Sequence, residues 1–68
     1  MKVRHWPNGI QHDHVGINTY DALRIAMECA GHRHSRKSLV TMVDVLERRD
    51  RFEFIVPGKR VEVFRLIH

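Results

Sequence analysis

Six histidines in a chain of 68 residues are the first chemistry on offer. His12-Asp13-His14 and Cys29-x-x-His32-x-His34 place imidazole, carboxylate and thiol groups close together, and His5 could join them if the N-terminal turn folds back. Zinc takes four tetrahedral N or S ligands, which His12, His14, His32 and His34 could supply. The spacing fits no common zinc finger, because one cysteine is too few. Cys29 also falls on the apolar side of a predicted helix, where a free thiol behaves as a small hydrophobe. The metal site is therefore the lesser alternative, no cofactor is expected, and the histidines read better as phosphate contacts or pH-sensitive surface groups. Catalysis has less support still. Cys29 with His32 or His34 is the one nucleophile-and-base pairing to be imagined, and the chain has no phosphate-cradling glycine loop, nucleophile elbow or carboxylate cluster beside a base. An enzyme is not expected.

The second chemistry is cationic. In "GHRHSRKSL", residues 31–39, Arg33, Arg36 and Lys37 gather where a helix is about to begin. Helix starts prefer acids, since their free N–H groups make that end partly positive. Cations there repel the helix dipole, and a bound anion would relieve the repulsion. Arg33, His34, Ser35, Arg36, Lys37, Ser38 and Thr41 are thus candidate nucleic-acid contacts, with Arg able to read guanine through two hydrogen bonds and the others suited to phosphate. Lys59 and Arg60 form a second basic point. The chain carries 12 Lys and Arg against 8 Asp and Glu, a net charge of +4, which favours a polyanionic partner. The competing reading is a solvated helix start whose cations only keep the protein soluble.

Four segments must position these groups. Around Pro7-Asn8-Gly9, a turn sequence, residues 2–6 and 10–15 read as short strands. "NTYDALRIAMECAG" reads as a helix with Asn18 or Thr19 as its cap, Gly31 just past its end, and a packed stripe of Tyr20, Leu23, Met27 and Ala30. That stripe is widened by Ala22, Ala26 and Cys29. A second helix opens at Ser35 and packs through Leu39, Met42, Val43 and Leu46, broadened by Val40 and Val45. "RFEFIVPGKRVEVFRLI" reads as a β-hairpin. A four-residue loop, 57–60, sets Phe54 opposite Val63 and Glu53 opposite Phe64, and avoids the Glu53–Glu62 clash of a two-residue loop. Trp6 is expected to cap the small core, with stacking on a base or insertion into a partner as its other uses.

Helix, tight turn, basic helix, then a hairpin with a basic tip: residues 19–67 resemble the winged helix-turn-helix superfamily. Within them "SRKSLVTMVDVLERRDRFEFI" looks like a recognition helix running into the first wing strand. The resemblance implies an α+β, winged-helix-like domain spanning residues 1–68: an extended N-terminal segment (1–18), a helix-turn-helix (19–50) and a β-hairpin wing (51–67). Residues 1–18 do not read as the first of that family's three helices. Extended structure replaces it, or a dimer completes the core, or the fold is another small α/β arrangement.

The resemblance also implies duplex DNA as partner and a transcriptional regulator or mobile-element accessory factor as function, acting as a homodimer on a pseudo-palindrome. An acidic protein meeting the same basic surface is the alternative. Cys29 cannot form an intrachain disulfide, and a short chain without staples fits a reducing, cytoplasmic setting. No apolar run approaches the roughly 20 residues that span a bilayer, and the N-terminus has no apolar signal region, so no membrane role is expected.

Overall fold

In the computed structural model, which describes residues 1–55 and 62–67, two hairpins from opposite ends of the chain join into one sheet. The N-terminal hairpin is β1 (Lys2–His5) and β2 (His12–Val15), linked through a 3-10 turn at Pro7–Gly9. Helices α1 (Thr19–Cys29) and α2 (Arg36–Arg49) follow, and then β3 (Arg51–Phe54) and β4 (Glu62–Ile67). All pairings are antiparallel and the strand order is β2-β1-β4-β3. Over the described residues the chain is a small α+β structure with two helices and a four-stranded sheet. The expected helices-then-hairpin order holds for residues 19–67, but strands also come first. The segment before α1 forms the first hairpin, and β1 pairs directly with β4.

Local chemistry explains the element ends. Asn18 Oδ1 accepts from the Asp21 N–H at 2.9 Å and caps α1. At the other end Gly31 adopts φ +79°, the His32 N–H donates to the Met27 carbonyl at 2.9 Å, and the Gly31 N–H donates to that of Glu28 at 3.0 Å. This Schellman-type closure turns the chain sharply toward α2. Ser35 Oγ accepts from the Ser38 N–H at 3.2 Å and caps α2. Asp50, at φ 58°, ends α2 in a left-handed residue, so β3 starts at the very next position.

One side of the sheet packs on the helices. Val3, Phe64 and Leu66 share a core with Ala22, Leu23, Ala26, Met27, Leu39 and Leu46, and Tyr20, Met42, Val43, Phe52 and Phe54 pack around it. Two expected members of the helical stripes lie outside. Val40 is 53% exposed, and Cys29, in the last turn of α1, is exposed. Gly16 lets β2 meet α1: a Cβ there would lie 2.4 Å from the Ala22 backbone nitrogen.

The C-terminal hairpin differs from expectation by one residue. Glu53 lies opposite Val63, Phe52 opposite Phe64 and Phe54 opposite Glu62. The expected register, Phe54 with Val63 and Glu53 with Phe64, would turn Phe52 and Phe54 to the side away from Phe64. A one-residue slip exchanges the two faces of a strand, and burial of all three phenylalanines on the helix side selects the observed pairing. The loop expected at residues 57–60 lies outside the described residues.

Candidate nucleic-acid interface

The stretch between the helices is built by alternation. After Gly31 turns the chain, His32 faces inward, Arg33 outward, His34 inward and Ser35 outward as the α2 cap. The His32 side chain is only 10% exposed, its Nε2 lies 3.1 Å from Glu62 Oε1, and its ring meets Phe54 edge-on at 5.5 Å between centroids. His34 meets the same phenylalanine edge-on at 5.1 Å. The two histidines thus seat the linker on β3 and β4, while Arg33, Arg36 and Lys37 remain exposed.

Beneath the linker lies a histidine corner at one end of the helix-facing side of the sheet. Glu62 is the inward-facing residue of β4 two positions before Phe64, and its carboxylate sits between two imidazoles. His32 approaches one oxygen, and His5 Nε2 lies 3.3 Å from Oε2 without the alignment of a good hydrogen bond. His5 is 1% exposed and stacks on Phe64 at 4.4 Å. His14 lies 5.9 Å from His5, and His12 lies 6.4 Å from His14. Burial pushes the His5 pKa below its ordinary value, against the opposing pull of Glu62, with His14 and His12 adding a smaller lowering. His14 is lowered as well, by burial first and His12 second. His5 and His14 are therefore neutral at neutral pH.

Of the suggested metal ligands, His12 and His14 sit side by side on β2, and His32 and His34 on the linker. Among the described residues, no three His, Cys, Asp or Glu side chains are placed to hold a metal ion. The apolar-face location expected for Cys29 is corrected, since the thiol is exposed. Trp6 does not cap the core. It lines a shallow depression with Gly9, Arg51, Val63 and Arg65, on residues of the sheet that face away from the helices.

The other contact residues group at the start of α2. Ser35 spends its oxygen on the cap, and Thr41 Oγ1 donates to the Lys37 carbonyl at 3.1 Å. Ser38 is half-buried and Thr41 exposed. Arg33, Arg36 and Lys37 have no ion pair among the described residues. Several acids are engaged elsewhere: Asp13 with Arg4 at 2.9 Å, Glu28 with Arg24 at 3.1 Å, and Asp44 with Arg48. Lys59 and Arg60 lie outside the described residues. Arg33 stands at the rim of a groove between α1 and the linker, shared with Tyr20, Arg24, Met27 and Glu28.

Sequence reasoning missed Glu62 as the seat of the linker. The signal was present, because Glu62, Phe64 and Leu66 share one face at period 2, and an acid on a core-facing row needs a partner. Comparison with protein-family models, curated proteins and solved structures found no match to this chain.

Proposed function

We propose that this chain is a small DNA-binding protein that meets duplex DNA with the α1–α2 linker and the first turn of α2. The observation that carries the reading is the pairing of a buried anchor with an exposed cationic edge. His32 and His34 hold the linker down, and Arg33, Arg36 and Lys37 stand exposed with no acid bound to them among the described residues. The free N–H groups at the start of α2 add to their attraction for phosphate.

The approach is end-on. Further along the outer side of α2, Asp44 and Glu47 are exposed, so laying the whole helix in a groove would set carboxylates against phosphates. On this reading the first turn enters the major groove, where Arg36 and Lys37 reach phosphates or base edges. The winged-helix resemblance of residues 19–67 fits the same approach, and Lys59 and Arg60, outside the described residues, are the second contact that it implies. A transcriptional regulator or mobile-element accessory factor in the cytoplasm, acting as a homodimer, is the role that follows.

Salt-dependent binding to duplex DNA tests this. Affinity should fall steeply as salt rises, and Arg36→Ala and Lys37→Ala should each lower the log–log slope by about 1, as expected for one lost phosphate contact. An unchanged slope in both variants, or no binding at low salt, would overturn the reading. Selective binding of an acidic protein with no DNA affinity would assign the same surface to the alternative partner.

A further inference from the structure

The side of the sheet turned away from the helices carries a row of charge that the duplex-binding surface does not use. Strand register sets Arg4 opposite Asp13 on β2 and opposite Arg65 on β4, and Arg65 opposite Arg51 on β3. Three arginines therefore stand side by side on adjacent strands, spanning about 10 Å at the usual strand spacing. Like charges directly across strands destabilise a sheet.

Each arginine of the row has a carboxylate beside it, but only one of the three pairs is close. Arg4 is held by Asp13 through two contacts, at 2.9 and 3.3 Å. Arg65 lies 3.7 Å from Asp50 and Arg51 4.0 Å from Glu53, long contacts on side chains 57% and 63% exposed. Such pairs exchange readily for a better anion. Beside them stands Trp6. Its N–H donates to the Val63 carbonyl at 3.1 Å, continuing the β1–β4 pairing by one residue, and its side chain shares a depression with Val63, Arg51 and Arg65.

We propose that this open face binds single-stranded nucleic acid, with Arg51 and Arg65 on phosphates and Trp6 under a base. Guanidinium groups take phosphate oxygens through paired hydrogen bonds, and an indole offers a stacking surface to any base. A duplex keeps its bases stacked inside and cannot use Trp6 in this way. A second copy docked with its two-fold axis through the row is disfavoured by charge, since arginines would then face arginines. The face is separate from the α2 start, which lies on the helix side of the sheet.

The chain's single tryptophan makes the test direct. Titrating the full chain with a short oligothymidylate at low salt should quench Trp6 fluorescence saturably, with affinity falling as salt rises. Arg51→Gln and Arg65→Gln should each weaken binding about tenfold, the loss of one charge-assisted contact. Asp13→Asn, which releases Arg4, should tighten it a few-fold. Circular dichroism would confirm that each variant is folded, and anisotropy of a labelled oligonucleotide gives a readout independent of the indole. Arg36→Ala and Lys37→Ala should leave this titration unchanged while weakening duplex binding, so the two surfaces succeed or fail separately. Absence of quenching, wild-type affinity in both folded arginine variants, or loss of single-strand binding in the α2 variants would overturn the proposal. So would quenching that depends on protein concentration alone, the mark of self-association.

Discussion

His5 and His14 set how the protein responds to mild acid. His5 and His14 are held neutral by burial, with pKa values below the ordinary 6.5. The unfolded chain binds protons more readily than the folded one in that range, so stability is full above the unfolded value and declines as pH falls below it. His5 faces His12 and His14 from β2 and Glu62 from β4; the carboxylate opposes the lowering without reversing it. Urea unfolding should therefore give a lower midpoint at pH 5.5 than at pH 7.5, and His5→Phe, which keeps the stack on Phe64, should flatten the difference. Equal midpoints in the wild type would contradict this. The Asp13 carboxyl, held below its usual range chiefly by its hydrogen bond to Arg4, acts in the same direction only in stronger acid. Glu62→Gln should cost about 1.5–3 kcal/mol, the scale of a lost charged hydrogen bond, read as a shift in the same unfolding curve. Cys29 belongs to this scale too. Its exposed thiol should react with a disulfide reagent in the native protein, and protection until unfolding would show it buried.

Among the elements, those written in local pattern are legible in the sequence and those set by long-range pairing are not. Asn18, Gly31 and Ser35 mark the helix limits by residue type alone, because capping depends on neighbours in sequence. Turn residues at Pro7–Gly9 announce the first hairpin. The pairing of β1 with β4 is not readable, since it joins residues about 60 positions apart, and nothing local encodes it. The hairpin register fails for a related reason: loop chemistry is weighed against a Glu–Glu clash, whereas burial of Phe52, Phe54 and Phe64 on one side decides it. The cationic part of the proposed interface is visible in residues 33–37. Its anchor is not, because His32 and Glu62 meet only when the fold brings linker and strand together. Close approach of β2 and α1 at Gly16 gives a check on the packing. Gly16→Ala forces the Ala22 backbone to move and should destabilise by about 1–3 kcal/mol, the range for overpacking. A neutral substitution there would mean that the two elements sit farther apart.

For the whole molecule, size and charge distribution point the same way. Its extents of 30 × 25 × 20 Å fall short of one turn of B-DNA, about 34–36 Å, so on the proposed duplex-binding reading one copy would cover a single half-site and a two-fold complex would be needed to read a palindrome. Among the described residues no helix is long and apolar enough to cross a membrane. The sheet divides the molecule into a helix side, with the anchored basic linker, and an open side, with the arginine row and Trp6. These opposite placements let the two proposed nucleic-acid surfaces be tested independently. The most direct measurement for the central claim is a map of backbone amide shifts on adding a short DNA duplex to labelled protein. The largest changes should fall in residues 33–38, with β1 and β3 nearly still. Shifts confined to the sheet, or none at a concentration where the duplex is in excess, would contradict it.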